Sequence, residues 1–364
     1  MGNKSVLFIL QNLEGGGAEK VFVHIANGFS LNGIDVEILL GENSGDYFHL
    51  LQPQIKITIL NAKTFFDYNY KLPSLFKKNN YAYVFTASDY ISAATIIAKF
   101  IVKAHFQSIV TLHYHLPYQL SVLPTLNRKW LTWINRNILI KASKIIAVSN
   151  GVNEGFRKVT KKSGHYPITI YNPVIDHSMH MLAEETLDGD FTINPFIITV
   201  GALIEQKNQI LLLQTFKKLS DKFVNVDLVI LGTGPKEDEL KKFVINNNLA
   251  SKVHFLGFQK NPFKFIKKAS LFVLSSDCEG LGNVIIEALG LGINVVSTDC
   301  PTGPREILEN EKYGWLAKVN DSDDLALKIE NALNNPKPSS LLQGRANDFI
   351  ISNIVSEYLQ LIET

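Results

Sequence analysis

The chain has 364 residues, 46% hydrophobic and 19% charged, which favours two domains and excludes disordered, collagen-like and coiled-coil classes. Its net charge of +2 hides an asymmetry, because residues 1–173 carry 18 Lys and Arg against 9 Asp and Glu, and the remainder carries 18 against 25. The first half, with nine excess positive charges, is therefore the half that we expect to meet an anionic surface or ligand.

Short apolar runs recur along the chain, each followed by a polar or glycine-rich patch and then by a helical pattern. Continuous apolar runs of about five residues that alternate with helices are typical of parallel strands buried on both faces. We therefore predict an α/β fold with doubly wound sheets, in which ligands bind beyond the carboxyl ends of the strands. The runs are Val6–Leu10, Tyr83–Thr86, Ser108–Leu112, Ile145–Ser149, Phe196–Gly201, Asp227–Gly232, Val253–Gly257, Leu271–Ser275 and Asn294–Thr298.

Residue 175 is the predicted boundary between the two domains. Beyond it, the segment Asp176–Asn194 is polar and has no strand pattern, which fits a linker, and Phe196 begins a new series of strands and helices. We therefore predict an N-terminal Rossmann-like domain over residues 1–175 and a C-terminal one over residues 176–345.

Two helical patterns close the chain, over Asp323–Asn334 and within residues 346–364. Pro336, Pro338 and Gly344 lie between them, and such residues break helices. The last helix is therefore predicted to pack back on the N-terminal domain.

Two cysteines, Cys278 and Cys300, are too few for a structural zinc site or a disulfide framework. No uncharged apolar stretch reaches the ~18 residues that a membrane-spanning helix needs. We therefore expect a cytoplasmic protein with free thiols that at most contacts a membrane face.

The strongest chemical signal is the segment Ser275–Leu289, in which a strand is followed by a glycine-containing loop and by a helix that begins at Asn283. The first amides of such a helix lack intrahelical partners and suit a phosphate group. By itself the pattern is equally typical of a capped helix with two solvated glutamates. The residues that it offers to a ligand are Glu279, Gly280, Leu281, Gly282, Asn283, Val284 and Glu287.

The two glutamates of this segment do not form the carboxylate pair of a retaining glycosidase. Eight residues of helix would separate Glu279 from Glu287 by ~12 Å, which is too far for that pair. We therefore expect them to bind different parts of one extended ligand.

Two other glycine-rich turns, Glu14–Glu19 and Gly232–Glu237, resemble dinucleotide-binding turns. The fingerprint is incomplete in both, because Lys20 and Glu237 stand where its third glycine belongs. A hydride-transfer enzyme is therefore disfavoured.

In this order, the motifs resemble the GT-B retaining glycosyltransferases of family 4 over nearly the whole chain. The two-glutamate motif is specific, and the other pieces are weak singly. The resemblance implies two Rossmann-like domains that face each other across a cleft, with the N-terminal domain (1–175) binding the acceptor and the C-terminal domain (176–345) binding the nucleotide sugar. The matching segments are Glu14–Glu19, Ile146–Ser149, Ile170–Val174, Gln206–Asn208, Val229–Gly234, Phe255–Phe258, Glu279–Glu287 and Ser297–Glu306.

For the second domain, the resemblance implies a role for each matching residue. Glu279 would contact hydroxyls of the transferred sugar, and Glu287 would bind the nucleotide ribose. The donor diphosphate would lie between Lys207 and the amides of residues 281–284. Phe258 and its neighbours would border the base.

For the first domain, the resemblance implies that His113 faces the donor sugar and the acceptor. Gly16 and Gly17 would open space for the donor phosphate and the acceptor. His115 lies two residues beyond His113, so either ring could be the functional one, and a histidine at a strand end is often structural.

One position departs from the family pattern. The family commonly reads Gly-Arg-Leu before the lysine, and this chain has Ala202 in place of the arginine. A charge-assisted hydrogen bond of that kind contributes about 1.5–3 kcal/mol. Either Lys207 and the helix amides suffice for the diphosphate, or Arg305 or another cation substitutes.

The region between Asp89 and Glu154 carries no acidic residue, and the stretch Leu126–Lys144 combines five cations with Trp130 and Trp133. A basic helix with tryptophans can lie on an anionic bilayer surface, although an ordinary solvated helix shows the same pattern. We favour contact with an anionic, lipid-linked acceptor over nucleic acid, because no aromatic-rich recognition motif is present.

The prediction is thus a retaining hexosyltransferase that needs no metal or other cofactor. It would move a hexose or N-acetylhexosamine from a nucleotide sugar, with UDP as the expected nucleotide, to a glycan or polyprenyl-linked glycan of a bacterial surface polysaccharide such as lipopolysaccharide. No carboxylate nucleophile stands beside the donor motif, and the family pattern implies front-face attack. The alternatives are a non-hydrolysing UDP-sugar epimerase on the same fold and a catalytically inactive GT-B partner subunit, which the alanine at 202 favours.

Overall fold

The computed structural model describes residues 5–161, 166–187, 195–220, 222 and 225–363. The chain forms two compact units. Unit 1 combines residues 1–173 with residues 351–364, and unit 2 comprises residues 174–350. The chain therefore first passes from unit 1 to unit 2 after residue 173, two residues before the boundary that the sequence predicts.

Unit 1 alternates strands and helices. Its described strands form one seven-stranded parallel sheet in the order β3-β2-β1-β4-β5-β6-β7, numbered as in the ranges below. The strand order reverses between β1 and β4, which makes the carboxyl ends of these two strands the switch point of the sheet. The elements are β1 (Ser5–Leu10), α1 (Gly17–Leu31), β2 (Asp35–Leu40), β3 (Lys56–Ile59), α2 (Phe65–Lys78), β4 (Tyr83–Thr86), α3 (Asp89–Val102), β5 (Gln107–Leu112), α4 (Leu116–Val122), α5 (Thr125–Asn137), β6 (Lys144–Ala147), α6 (Asn150–Thr160) and β7 (Ile168–Thr169).

Unit 2 repeats this alternation around a parallel sheet whose described strands run in the order β10-β9-β8-β11-β12-β13. Here the order reverses between β8 and β11, so the loops that follow these strands lie side by side at the switch point. The elements are α7 (His177–Ala183), β8 (Phe196–Val200), α8 (Gln209–Leu219), β9 (Asp227–Leu231), α9 (Glu237–Asn246), β10 (Val253–Phe255), α10 (Phe263–Ile266), β11 (Leu271–Leu274), α11 (Asn283–Gly290), β12 (Val295–Thr298), α12 (Pro304–Ile307), β13 (Trp315–Ala317), α13 (Ser322–Asn334) and α14 (Ser339–Ala346).

The last helix, α15 (Ile351–Glu363), belongs to the core of unit 1. Its apolar side chains, Val355 and Tyr358 among them, are buried together with those of β1, β4 and α1. Gly28 of α1 permits this contact, because a Cβ there would lie 2.5 Å from Cγ1 of Val355. The helix begins at residue 351 rather than 346, since the residues before it form α14 and a short 3₁₀ turn in unit 2.

Each of the nine predicted apolar runs coincides with a strand. The sequence does not predict β2, because Glu37 interrupts its run of apolar residues. The Glu37 carboxylate is buried, and it accepts hydrogen bonds from Oγ1 of Thr58 at 2.6 Å and from the hydroxyl of Tyr81 at 3.1 Å. Nζ of Lys56 lies 3.1 Å from the same carboxylate. These partners offset the cost of burying the charge. The strands β3, β7 and β13 were also missed; Lys56 and Thr58 interrupt β3, and β7 has only two residues.

The segment interpreted as a linker contains a helix. Within it, α7 buries Met179 and Ala183, each 2% exposed, and packs against α10 in unit 2. Residues 188–194 of the segment lie outside the described residues.

Candidate active site

The switch point of unit 2 brings together two side chains that the sequence nominates separately. Lys207 follows β8 and Glu279 follows β11, and Nζ of Lys207 lies 2.6 Å from Oε1 of Glu279 although 72 residues separate them. The lysine side chain is 20% exposed and the glutamate side chain 8%. Because the pair is largely shielded from water, each charge depends on the other far more than in a surface salt bridge.

Hydrogen bonds beside the ion pair connect the loop after β8 to the loop after β11. Nε2 of Gln206 donates to the carbonyl of Cys278 at 2.7 Å, and the amide of Asp277 donates to the carbonyl of Gln206 at 2.9 Å. Oγ of Ser275 donates to the carbonyl of Lys207 at 3.1 Å. The position of the lysine therefore does not depend on its charge alone.

The carboxylate of Glu279 has one occupied and one open oxygen. Oε1 accepts hydrogen bonds from Lys207 and from Oγ of Ser276, both at 2.6 Å. Among the described residues, no group donates to Oε2. An open carboxylate oxygen accepts a hydroxyl hydrogen, so the residue can bind a polyol while it holds the lysine.

The loop after β12 supports the Glu279 loop. The hydroxyl of Thr302 donates to the carbonyl of Glu279. Gly303 has a φ of 89°, and a Cβ there would lie 1.9 Å from the carbonyl oxygen of Leu281, so only glycine fits. The sequence indicates Thr302 and Gly303 only through their place in the segment Ser297–Glu306, one of the segments that resemble the family.

Helix α11 begins at Asn283, the residue at which the sequence predicts it to begin. Gly282 is its N-cap with a φ of 96°, a left-handed conformation that favours glycine. Amides at the start of a helix have no acceptor four residues back, which is the arrangement predicted for the diphosphate. Glu287 lies one turn further and is 6% exposed. The contacts of residues 280–284 and Glu287 with a nucleotide stay predictions.

The other predicted donor residues lie at the same edge of the unit 2 sheet. Phe258 follows β10 and is 47% exposed, as a stacking surface requires. Ala202 is exposed in the loop after β8. Arg305, the candidate replacement cation, is engaged elsewhere: its Nε donates to Oδ1 of Asp299 at 3.0 Å and its Nη1 to Oδ1 of Asn310 at 3.0 Å.

The two cysteines flank this site without a chemical role. Cys278 and Cys300 are free and buried. Burial raises the pKa of the Cys278 thiol to about 12 and holds the pKa of the Cys300 thiol well above its ordinary value. Thiols of this kind stay protonated and unreactive at neutral pH.

Unit 1 has a cavity of about 440 Å³ at its own switch point, beyond the carboxyl ends of β1, β4 and β5. A volume of this size is typical of a small-molecule site. Its lining includes Glu19, Asp89, His113, Gln119, Trp130 and Asn135.

His113 lines this cavity as a neutral ring. Oγ1 of Thr111 donates to the carbonyl of Thr86 at 3.2 Å, so its contact with Nε2 of His113 at 3.0 Å must be one in which the histidine donates. Nδ1 is then the acceptor nitrogen of the neutral ring. Burial lowers the pKa of His113 to about 4. Its contact with the transferred sugar stays a prediction.

His115, the other candidate ring, packs against α6. A Cβ at Gly155 would lie 2.5 Å from Cδ2 of His115, which shows how closely the ring approaches that helix. Of the two rings, His113 is the one among the residues that line the cavity, and its functional role stays a prediction.

The predicted glycine turn lies at the start of α1, with Gly16 as N-cap and Gly17 as the first helical residue. The carboxylate of Glu19 folds back over this turn, since a Cβ at Gly16 would lie 2.0 Å from Oε2 of Glu19. Burial raises the pKa of Glu19. The space that Gly16 opens is therefore taken by the chain's own carboxyl group.

In the part of the chain that the structure describes, no group of three or more His, Cys, Asp or Glu side chains could hold a metal ion. Independence from metal nevertheless stays a prediction. Over the same residues, no helix combines the length and the apolar character needed to cross a bilayer.

The two Rossmann-like units with parallel sheets have the GT-B class of fold, which the solved structures similar to this chain share. Two family models match the chain: Glycosyltransferase Family 4 over residues 15–176, and Glycosyl transferases group 1 over residues 189–347. Together they cover most of the sequence. The chain belongs to the group 1/family 4 glycosyltransferases.

Relatives and solved structures are consistent with this membership. An uncharacterized glycosyltransferase of Methanocaldococcus jannaschii is 40% identical over 199 residues, 46% of this chain and 49% of that protein, so the match spans about half of the relative. The GalNAc-α-(1→4)-GalNAc-α-(1→3)-diNAcBac-PP-undecaprenol α-1,4-N-acetyl-D-galactosaminyltransferase of Campylobacter jejuni is 28% identical over 98% of both chains. Anabaena HepE, solved with UDP and glucose, superposes with a TM-score of 0.78 at 19% identity over 99% of both chains, which shows the fold alone.

Proposed function

We propose that this chain is a retaining glycosyltransferase. It moves a hexose or N-acetylhexosamine from a UDP-sugar to a glycan or lipid-linked glycan in the synthesis of a bacterial surface polysaccharide or glycoconjugate. The observation that carries the proposal is the pair of Lys207 and Glu279 at the switch point of unit 2. One partner offers a cation to a diphosphate, and the other offers an open carboxylate oxygen to a sugar hydroxyl.

The chemistry that this site supports is departure of the diphosphate from the anomeric carbon. Negative charge develops on the leaving phosphate, and Lys207 together with the amides at the start of α11 would stabilise it. Glu279 would orient the sugar through Oε2, and Glu287 would hold the ribose. With the cation supplied by a lysine and the remaining donors by amides, the proposed reaction uses no metal and no other cofactor.

Two similarities support the donor and acceptor classes. Anabaena HepE was solved with UDP and glucose, which favours UDP as the nucleotide. The Campylobacter jejuni relative is named for an undecaprenol-linked acceptor and an N-acetylgalactosaminyl group, which favours a lipid-linked glycan and an N-acetylhexosamine.

The decisive experiment begins with UDP, GDP and ADP as ligands in thermal unfolding. At a concentration of 100 Kd the binding nucleotide should stabilise the protein by ~2.7 kcal/mol. Labelled sugars of that nucleotide are then tested with octyl glycosides as acceptors, and the anomeric configuration of the product is read by NMR. Glu279→Ala and Glu287→Ala should each abolish most transfer with the fold intact, and Glu239→Ala, on the exposed face of α9, is the control. Full activity in both site variants would defeat the proposal.

Contact with an anionic membrane is the proposed mode of access to a lipid-linked acceptor. On α5, Leu126 is 80% exposed, Trp130 46% and Trp133 56%. The ring of Trp130 meets Phe65 of α2 edge to face at 5.5 Å, and its neighbour Phe66 is 80% exposed. Aromatic side chains beside a basic helix are suited to the boundary of an anionic bilayer.

This contact is tested with vesicles of phosphatidylglycerol and of phosphatidylcholine at low salt. The protein should sediment with the anionic vesicles, and Trp133→Ser should weaken that binding without changing the melting temperature. Cell fractionation of the full chain measures the accompanying location at the cytoplasmic face of the inner membrane. Equal use of free and lipid-linked sugars, with no binding to either vesicle, would contradict the membrane contact but not glycosyl transfer.

A further inference from the structure

The chain after β8 turns sharply at Asn208, the residue that follows Lys207. Asn208 has a φ of 46° and a ψ of 47°, which is a left-handed conformation, and it is the N-cap of α8. Apart from glycine, asparagine is one of the few residue types that adopt this conformation at low cost. The turn from the 3₁₀ helix Glu205–Lys207 into α8 therefore depends on the residue type at position 208.

The side chain of Asn208 connects three loops at the carboxyl edge of the unit 2 sheet. Its Nδ2 donates to Oδ1 of Asp277, in the loop after β11, and to Oδ1 of Asn320, in the loop after β13, both at 2.7 Å. Its Oδ1 accepts a hydrogen bond from the amide of Leu211 at 3.3 Å. Because both amide hydrogens and the amide oxygen are engaged, the side chain is fixed in one orientation.

The position of the Lys207 ammonium depends on this anchored stretch of main chain. The amide of Lys207 donates to the carbonyl of Ile204 at 3.1 Å, and its carbonyl accepts a hydrogen bond from Oγ of Ser275 at 3.1 Å. The ammonium that meets Glu279 stands at the end of a flexible four-carbon stem. The direction in which that stem leaves the main chain is set by the turn that Asn208 anchors.

The link between Asn208 and Asp277 involves a carboxylate with few partners. Within the described residues, no other side chain or amide donates a hydrogen bond to the Asp277 carboxylate. Burial raises the pKa of Asp277, the hydrogen bond from Asn208 opposes that rise, and the charge of Glu205 adds to it. Hydrogen bonds to charged groups are the stronger ones, so this bond ties the loop after β8 firmly to the loop that carries Glu279.

We propose that Asn208 is the positioning residue of Lys207: by joining the loop after β8 to the loops after β11 and β13, it holds the ammonium beside Glu279. The proposal rests on the proposed function, in which that ammonium meets the leaving diphosphate, and it adds a residue that touches no substrate. Asn320 lies outside every segment that resembles the family, so the motifs do not indicate this link.

The first test exchanges donor and acceptor across one contact. Asn208→Asp places a second carboxylate against that of Asp277, and like charges at this distance repel, so kcat/KM for the nucleotide sugar should fall about 100-fold. The double variant Asn208→Asp, Asp277→Asn restores one donor facing one acceptor, and Asn320 can turn its amide toward the new carboxylate. Its kcat/KM should return to within about threefold of the parent value. The KM of the acceptor should stay unchanged throughout.

A second variant separates the turn from the side-chain bonds. Asn208→Gly keeps the left-handed conformation without steric cost and loses the three side-chain hydrogen bonds, so the KM of the nucleotide sugar should rise about tenfold. Asn247→Ala is the matched control in the same unit. The Asn247 amide accepts from Nζ of Lys217 at 2.6 Å and donates to the carbonyl of Phe243 at 2.8 Å. Its loss should lower the melting temperature and leave the nucleotide-sugar KM unchanged.

Two measurements need no transfer. The Kd of UDP, from isothermal titration calorimetry, should be highest in Asn208→Asp, intermediate in Asn208→Gly, and close to the parent value in the double variant and in Asn247→Ala. In the absence of nucleotide, Lys207→Met should lower the melting temperature less in the Asn208→Gly background than in the parent. Such coupling is expected only if the ion pair of Lys207 already depends on Asn208.

The proposal is overturned if Asn208→Gly keeps the parent KM for the nucleotide sugar, or if the folded double variant is no more active than Asn208→Asp. In either case nucleotide binding by the parent leaves the proposed function standing. If the parent binds none of UDP, GDP and ADP, the proposed function fails, and the melting temperatures decide the positioning role. Additive losses from Lys207→Met and Asn208→Gly would then overturn it.

Discussion

The two units place their candidate sites at equivalent points of their sheets. The charged side chains at the two sites are arranged differently. In unit 2, the carboxylate of Glu279 lies 2.6 Å from the cation of Lys207. In unit 1, Asp89 and Glu19 line a cavity whose described wall contains no lysine or arginine. Sheet topology determines where each site lies, and the pairing of its carboxyl groups determines which ligands it suits.

The unit 1 cavity opposes the charge of its own half of the chain. Residues 1–173 carry 18 basic against 9 acidic residues, and yet their cavity presents carboxyl groups. The acidic remainder, with 18 basic against 25 acidic residues, presents Lys207 paired with Glu279. Net charge therefore describes the surface that surrounds a site, and it does not identify the ligand inside.

The largest effect is expected from breaking the ion pair of unit 2. Lys207→Met removes the cation proposed for the diphosphate and leaves Glu279 largely buried without its partner, a change that costs about 3–5 kcal/mol in buried pairs. Transfer should fall by about 100-fold or more, with a higher KM for the nucleotide sugar in steady-state kinetics. Lys218→Met, which breaks the exposed pair with Asp323, should leave both values unchanged. Equal donor KM values in the two variants would show that the pair is structural only.

A smaller effect, on the pH dependence of stability, is expected in unit 1, where His113 is buried without a charged partner. His113 is buried with its pKa lowered from 6.5 to about 4, so protonation favours the unfolded chain. Its contribution to stability is complete above pH 6.5 and is lost as the pH falls toward 4, by roughly 3 kcal/mol in total. Asp89 and Glu19, with raised pKa values, act in the opposite direction, because they gain protons more readily in the folded state.

Comparison with His113→Gln isolates the histidine, since both proteins share the two carboxyl groups and glutamine keeps a donor for Thr111. Urea unfolding in a Trp315→Phe background follows unit 1 through its own two tryptophans. Between pH 7 and pH 4, the variant should gain roughly 3 kcal/mol of unfolding free energy relative to its parent. Parallel pH profiles would mean that the ring is hydrated in solution.

The smallest expected effect is a gain in affinity for the nucleotide sugar. Ala202→Arg places a guanidinium at the exposed position where the family commonly has one, beside Lys207. A charge-assisted bond to the diphosphate contributes about 1.5 kcal/mol at the lower end, so the KM of the nucleotide sugar should fall about tenfold. The same change should leave the acceptor KM unaltered. An unchanged donor KM would mean that the diphosphate does not approach the loop after β8.

The sequence predicts the strands well because burial on both faces leaves a continuous apolar run. It fails at β2, where Glu37 depends on Thr58 and Tyr81 from other segments. Likewise, Lys207 and Glu279 are each marked by a motif, but their contact follows from the order of strands, which no local pattern encodes. Asp89 and Asn135 lie in unremarkable helices, and only the packing of those helices brings them to the wall of one cavity.

The helix α15 has a consequence for how the protein is made. It covers α1 and completes the core that begins with β1, but 177 residues of unit 2 are translated between them. At about 5–20 residues per second, the nascent chain carries an uncovered apolar groove for on the order of ten seconds or more. Unit 2 is thus the first unit whose chain is complete, and any fragment of unit 1 meant to fold by itself must include residues 351–363.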